Sequence, residues 1–222
     1  MSSQPLKILA ISFRMPPMLS PRSIQVHRLL THWAKMGHEI DVICGDPNTA
    51  VWFRWDEDLV KIYTDFIRYH RVPSSEARRF RFYDFLFRKP LLKNKWLQKC
   101  LKNFQDNVES IPDLQYWWGR RARKAAVEIM KRSDFDIIIS FGSPMSDHLI
   151  GRKLKKLSGL PWIAHFSDPW VDNPYKTLSS FARSINAKQE RQVVSEADQV
   201  FFVSEETRHL VMKKYPSRYC QM

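Results

Sequence analysis

Residues 160–175 read LPWIAHFSDPWVDNPY and combine a short apolar run with a carboxylate and several prolines. The run from Trp162 to Phe166 is typical of a buried parallel strand, which is apolar on both faces. Pro169 keeps the residue before it extended and disfavours a helix at that point. Asp168 is therefore predicted to stand at the carboxyl end of a strand, where open α/β sheets bind their ligands.

Five further apolar runs alternate with amphipathic stretches of helical length. The six predicted strands are residues 7–13, 38–44, 66–72, 135–141, 161–166 and 199–203. Strands that alternate with helices are typical of a parallel sheet with right-handed crossovers. We therefore expect one Rossmann-like α/β domain over residues 1–222, with a doubly wound parallel sheet of six or seven strands and helices on both faces.

Length and composition fit an ordinary globular domain. A chain of 222 residues can bury a core large enough to fold without disulfides, and Cys44, Cys100 and Cys220 share no metal-binding spacing. No apolar run approaches the roughly 18 residues that a membrane span needs, and the first run is too short for a signal peptide. We expect a cytoplasmic protein, either free or attached peripherally to the inner face of the membrane.

The positive charge of the chain is concentrated in one segment. The net charge of +13 and the isoelectric point near 9.8 favour anionic partners, such as phosphorylated substrates or an acidic membrane surface. Nine basic residues fall between Arg78 and Lys102, against one acid, Asp84. Residues 79–104 also carry aromatic and leucine side chains at helical spacing, so we predict a basic aromatic helical insertion at about 78–112.

This insertion has two interpretations. An interfacial helix on anionic lipid has such a composition, and its membrane-facing side chains would be Arg81, Phe85, Arg88, Lys93 and Trp96. The alternative is a helix packed on the sheet with a charged face toward solvent.

Two predicted helix starts indicate an anion site. Ser20-Pro21 and Ser143-Pro144 each have the pattern of an N-cap followed by proline at the first helical position. In the strand order 3-2-1-4-5-6, the crevice opens between strands one and four, so both helix N-termini border it. Helix N-termini suit a phosphate or another anion, and Arg14 and Arg22 add positive side chains nearby.

Common cofactor signatures do not occur in the sequence. None of the six glycines has the spacing of a dinucleotide-binding loop or a P-loop, and the histidines and cysteines are too scattered for a zinc site. No nucleic-acid recognition motif accompanies the positive charge. We therefore expect no bound cofactor, no metal and no nucleic-acid partner.

The order and spacing of several short motifs resemble the amino-terminal domain of B-type glycosyltransferases, especially family 4. The motifs cover nearly the whole chain: Pro16-Pro17, Gly37-His38-Glu39, Phe141-Gly142-Ser143-Pro144, Asp168-Pro169-Trp170, Glu190, Ala197-Asp198 and Ser204. The resemblance implies the acceptor-side half of an enzyme of polysaccharide biosynthesis. Such an enzyme transfers a sugar from a nucleotide-sugar donor to a glycan or lipid-linked acceptor. It also implies a second, carboxyl-terminal Rossmann-like half that holds the donor, which we expect as a separate domain or partner.

The resemblance and the strand-end positions together define a candidate site. Asp168 is the candidate general base or orienting acid, with His165 beside it. The candidate substrate-binding residues are Arg14, Pro17, Ser20, Arg22, Gly142, Ser143, His148, Trp170 and Glu190.

Structural alternatives stay open for several of these residues. They are a loop-capping carboxylate for Asp168, a core histidine for His165, plain N-caps for Ser143 and Ser204, a first-turn dipole partner for Asp147 and an exposed helical acid for Glu190. A functional rival of another class is a non-catalytic basic module that docks on an anionic membrane or another partner.

Overall fold

The computed structural model describes residues 4–50, 54–55, 67–78 and 111–216, together with residues 81, 85, 94, 96, 98 and 99. The strands are β1 (Lys7–Ile11), β2 (Met18–Leu19), β3 (Glu39–Gly45), β4 (Arg54–Trp55), β5 (Ile67–Val72), β6 (Ile137–Phe141), β7 (Trp162–Phe166) and β8 (Gln199–Phe202). The helices are α1 (Pro21–Lys35), α2 (Tyr116–Met130), α3 (Ser146–Ser158), α4 (Ser180–Glu196) and α5 (Glu205–Met212).

Six of the strands form one sheet in the order β5-β3-β1-β6-β7-β8, and every neighbouring pair is parallel. Counted along the chain, this is the expected order 3-2-1-4-5-6, so the prediction of a doubly wound parallel sheet is confirmed. The order reverses at β1, because β1 pairs with β3 on one side and with β6 on the other.

Helices cover both faces of this sheet. Successive side chains of a strand point to opposite faces. On β1, Ile8 belongs to the same apolar cluster as Leu30 of α1. Its neighbour Leu9 belongs to the other cluster, with Trp118 of α2 and Leu154 of α3. The central strands are thus buried on both faces, which is why they are continuously apolar in the sequence.

Local capping signals explain where most helices begin and end. The hydroxyl groups of Ser20 and Ser204 cap α1 and α5, accepting the backbone N–H groups of Ser23 at 3.1 Å and Thr207 at 3.2 Å. Gly159 ends α3 in the left-handed region, with φ of 73°. These boundaries agree with the sequence.

The predicted N-cap at Ser143 is wrong. Helix α3 begins at Ser146, and Asp113 caps it from 33 residues away. The carboxylate of Asp113 accepts the Ser146 N–H at 2.8 Å and the Ser146 hydroxyl at 2.6 Å. Ser143 instead adopts the left-handed region, with φ of 67°. The local pattern failed because a distant carboxylate replaced the neighbouring serine.

A short antiparallel pair accompanies the main sheet. Met18–Leu19 pairs with Arg54–Trp55 in a separate two-stranded sheet. Strands of two residues are too short to show hydrophobic alternation, so this pair was not predicted.

Most of the predicted basic aromatic insertion lies outside the described residues. Arg88 and Lys93 lie outside the described residues. Arg81, Phe85 and Trp96 are described, and all three are exposed. In the described ranges, no helix combines the length and the apolar character that crossing a bilayer requires. The interfacial helix therefore stays a prediction.

Candidate active site

The candidate site lies at the carboxyl edge of the sheet, where the strand order reverses. Three loops leave the sheet there. They are the loop from β1 to α1, the loop from β6 to α3, and residues 167–172 after β7, which we call the Asp168 loop. A reversal of strand order leaves a crevice between the two outgoing loops. The fold therefore brings segments from three distant parts of the chain to one place.

Arg22, in the first turn of α1, ties these segments together. Its Nε donates to the carbonyl oxygen of Gly142 at 2.9 Å, and its Nη2 donates to the carbonyl oxygen of His165 at 3.1 Å. Its Nη1 donates to Oε1 of Gln25 at 2.6 Å, and the guanidinium lies 5.6 Å from the ring centre of Phe141. Arg22 thus holds the ends of β6 and β7 against α1, and most of its donors are used inside the protein.

The charge of Arg22 makes the floor of the crevice positive. Burial lowers the pKa of Arg22 from 12.5 to about 10, and the nearby carboxylates of Asp147 and Asp168 oppose this shift. The side chain therefore stays protonated at neutral pH. Because Arg22 is only 5% exposed, solvent screens its charge much less than it would on the surface. This favours an anionic group in the crevice.

His165 is a neutral hydrogen-bond donor in this arrangement. Its Nδ1 lies 3.1 Å from Nη2 of Arg22, and since arginine can only donate, Nδ1 accepts and we assign the ring proton to Nε2. Burial, reinforced by the charge of Arg22, lowers the pKa of His165 to about 4. The ring therefore presents an N–H at neutral pH, which favours a donating role over that of a general base.

Asp168 lies half-buried at the start of the Asp168 loop. The hydroxyl of Ser167 donates to its Oδ2 at 2.9 Å. Its negative charge is close enough to Arg22 to raise the pKa of that guanidinium. Within the described ranges, no lysine, arginine or histidine forms an ion pair with Asp168. The carboxylate is therefore placed to accept a proton or hydrogen bond from a ligand.

His148 lies beneath the crevice and is fully buried. Its Nδ1 is 2.8 Å from Oγ of Ser140, which also accepts the indole N–H of Trp162 at 2.9 Å. A Cβ atom on Gly142 would lie only 2.5 Å from Nε2 of His148, so the imidazole ring fills the space that Gly142 leaves open. Burial lowers the pKa of His148 well below its usual value, and the neutral ring packs the crevice floor.

Asp147 connects two walls of the crevice, a role that the sequence did not reveal. The side chain is fully buried, and its Oδ2 accepts the N–H of Phe13 at 2.9 Å, across 134 residues of sequence. Burial raises the pKa of Asp147 well above its usual value, against the opposing hydrogen bond from Phe13. The sequence placed Asp147 correctly in the first turn of a helix, but no local pattern identifies so distant a partner.

Trp170 and Glu190, both predicted to contact substrate, hold the Asp168 loop from inside the protein. Trp170 is 2% exposed, and its indole N–H donates to Oδ1 of Asn186 at 2.7 Å. Glu190 is fully buried and accepts the N–H of Val171 at 3.1 Å and the hydroxyl of Tyr215 at 2.9 Å. Because both side chains are enclosed, they position the loop. The alternative interpretation of Glu190 as an exposed helical acid is wrong, because the side chain is buried.

The remaining predicted contacts differ in exposure. Pro17 and Ser20 are buried, and the hydroxyl of Ser20 is already used as the cap of α1. Arg14 and Ser143 are half-buried in loops that border the crevice. Among the residues that the structure describes, no group of three or more His, Cys, Asp or Glu side chains is arranged to hold a metal ion.

Comparison with known proteins identifies a family. The family model described as "Glycosyl transferase 4-like domain" matches residues 23–218, which is most of the chain. A search of curated proteins found no match.

Two solved structures share the fold at low sequence identity, and a third is less similar. The Arabidopsis thaliana protein UGT89C1, complexed with UDP-L-rhamnose, is 12% identical with a TM-score of 0.54, over 98% of this chain and 51% of that protein. A putative UDP-N-acetylglucosamine 2-epimerase from Listeria monocytogenes is 11% identical with a TM-score of 0.53, over 96% of this chain and 43% of that one. The glycosyltransferase SsfS6 from Streptomyces sp. SF2575 is 15% identical with a TM-score of 0.43, over 86% and 46%. The chain thus spans about half the length of these proteins.

Proposed function

Because the chain belongs to the glycosyl transferase 4-like domain family, we propose that it is the acceptor-binding half of a two-domain glycosyltransferase. The observation that carries the proposal is the convergence of Arg22, His165 and Asp168 at the crevice beside β1. These side chains come from α1, β7 and the Asp168 loop, and together they offer a cation, a neutral donor and a carboxylate. Each of these chemical roles can assist sugar transfer.

Asp168 is the residue that acts on the acceptor in this proposal. A sugar hydroxyl becomes a better nucleophile when a carboxylate accepts or orients its proton. Ser167 donates to one oxygen of Asp168, which fixes the carboxylate and leaves its other oxygen for the acceptor. The Nε2–H of His165 donates to a second oxygen of the same sugar.

The positive crevice floor serves the donor. A nucleotide-sugar carries a diphosphate, whose charge increases on the leaving group as the sugar departs. The buried charge of Arg22 stabilises that negative charge through a medium of low dielectric. Since Arg22 spends most of its donors on Gly142, His165 and Gln25, it acts mainly through its field and by shaping the crevice.

The donor itself is held mainly by a second Rossmann-like half. This chain spans about half the length of the solved structures that share its fold, and one of those proteins was crystallised with UDP-L-rhamnose. These facts support a nucleotide-sugar donor and a separate donor-binding half. The acceptor in our proposal is a glycan, free or lipid-linked. One protein with the same fold is described as a putative UDP-N-acetylglucosamine 2-epimerase. The fold alone therefore does not specify the reaction, and the family match carries the assignment to transfer.

A comparison of two isosteric variants in the full-length protein tests this proposal. Nucleoside diphosphate release from a panel of nucleotide sugars is measured with glycan acceptors. We expect Asp168→Asn to lower kcat by about 100-fold or more, because general-base assistance is worth that much. The control is Asp134→Asn, an exposed carboxylate before β6, which should change nothing.

Equal activity of the two variants would exclude Asp168 from the chemistry. No turnover with any donor, together with salt-sensitive binding to anionic vesicles, would favour the non-catalytic binding module instead.

A further inference from the structure

A second polar cavity lies in the outer helical layer, apart from the crevice. It has a volume of about 390 Å³ and runs between α2 and α4 across α3. We call it the α2–α4 groove and define it by Tyr116, Arg120, Arg123, Lys153, Gln189 and Gln192. None of the crevice side chains lines it. Its volume falls within the range of roughly 300–1,000 Å³ that small-molecule sites occupy.

The described lining of this groove contains cations and no carboxylate. Arg120 and Arg123 project from α2, and Arg152 and Lys153 project from α3. Arg152 is neutralised, because its Nε and Nη2 donate to the two carboxylate oxygens of Glu196 at 2.8 and 2.6 Å. Within the described ranges, the other three cations have no carboxylate within 4.0 Å. Three like charges around one hollow repel each other, and a bound anion relieves that repulsion.

Two arginines among these cations favour a phosphate group. A guanidinium donates two parallel hydrogen bonds to phosphate oxygens, and a phosphate has enough oxygens to engage several cations at once. The guanidinium of Arg120 lies 5.5 Å from the ring centre of Trp117, three residues earlier in α2. Arg123 is half-buried, so its charge is less screened than that of a surface arginine.

Two side-chain amides form the α4 wall of the groove. Gln189 and Gln192 both line it, and their spacing of three residues places them on the same face of α4. A side-chain amide can donate through its NH2 group, so this wall adds neutral polar groups to the cations of α2 and α3.

We propose that the α2–α4 groove is a second ligand site, which binds a phosphate ester. The phosphate lies among Arg120, Arg123 and Lys153. Such a group occurs in soluble sugar and polyol phosphates and in the headgroup of phosphatidylglycerol. The proposal uses no crevice residue and does not depend on the proposed reaction.

Binding measurements on the full-length protein test the site. The probes are glycerol 3-phosphate by calorimetry, and vesicles with and without phosphatidylglycerol by flotation. The double variant Arg123→Gln/Lys153→Gln should lose about tenfold or more in affinity, because it removes two charged contacts. The matched control is Arg28→Gln/Lys35→Gln, which removes two exposed cations from α1. Circular dichroism melting confirms that both variants fold.

The outcomes separate the two sources of the phosphate and can overturn the site. If the double variant loses only the binding of glycerol 3-phosphate, the result supports a soluble ligand. If it loses only the binding of phosphatidylglycerol vesicles, the result supports a lipid headgroup. The proposal fails if neither probe binds, or if the double variant binds like its control. Asp168→Asn should bind both probes normally, so failure of the proposed reaction leaves this result unchanged.

Discussion

The Nε of Arg22 donates to the carbonyl oxygen of Gly142 at 2.9 Å, joining the first turn of α1 to the end of β6 across 120 residues of sequence. The same guanidinium reaches the carbonyl oxygen of His165 at the end of β7. One buried cation therefore sets the width of the crevice at the point where the strand order reverses. The shape of the site and its positive charge have a common origin.

Removal of this guanidinium should destabilise the domain. We expect Arg22→Met to lower the free energy of unfolding by about 1–3 kcal/mol, because the buried carbonyl of Gly142 loses its donor. The carbonyl of His165 keeps the backbone N–H of Gly142, and the apolar stem of the side chain is kept. Urea denaturation measures this difference. Arg28→Met, at an exposed position of the same helix, is the control and should stay within about 0.5 kcal/mol of the native protein. Similar stability of the two variants would show that Arg22 is not the tie described here.

A methyl group at Gly142 should disturb the crevice floor. The new Cβ would lie 2.5 Å from Nε2 of His148, a ring held in place by Ser140, so Gly142→Ala should destabilise the protein by about 1–3 kcal/mol. At Gly119 the same change meets Ile150 at an ordinary 3.7 Å within a helix, so Gly119→Ala should be neutral or slightly stabilising. Thermal unfolding of both variants makes the comparison. A larger loss at Gly119 than at Gly142 would refute the packing described.

Asp147 should make stability depend on pH in the direction opposite to most carboxylates. Burial raises its pKa above the ordinary 3.8, so its contribution to stability is fully present at acidic pH and is lost as pH rises through the folded-state value. Asp147→Asn keeps an oxygen for the Phe13 N–H and removes the titration. At pH 8 this variant should be more stable than the native protein by about 1 kcal/mol or more, with the advantage vanishing near pH 4.

Unfolding free energies at several pH values check this expectation. Asp134→Asn, which changes an exposed carboxylate, should follow the native protein throughout. If Asp147→Asn also follows it, the buried carboxyl is ionised in the fold and the assigned direction of its pKa shift is wrong.

The sequence predicted those features that depend on neighbouring residues. Apolar runs located all six main strands, and Ser20, Ser204 and Gly159 marked helix boundaries because an N-cap or a left-handed glycine acts within one turn. The position of Asp168 just beyond the carboxyl end of a strand could also be predicted, since an apolar run and Pro169 mark where β7 ends.

Contacts between distant segments could not be predicted in this way. The cap of α3 comes from Asp113, and the partner of Asp147 is a backbone group near the start of the chain. Glu190 lies in a polar helical sequence, yet it is fully buried because Val171 and Tyr215 close over it. In each case the partner is chosen by the tertiary fold, and no spacing along the sequence encodes it.

The most direct test of the account is a crystal structure of the full-length protein with its acceptor and the donor's nucleoside diphosphate. We expect the acceptor hydroxyl within about 3 Å of the Asp168 carboxylate, the distance that proton transfer requires, and the diphosphate on the side of the crevice where Arg22 is buried. An acceptor bound elsewhere on the domain, with Asp168 out of hydrogen-bonding reach, would contradict it.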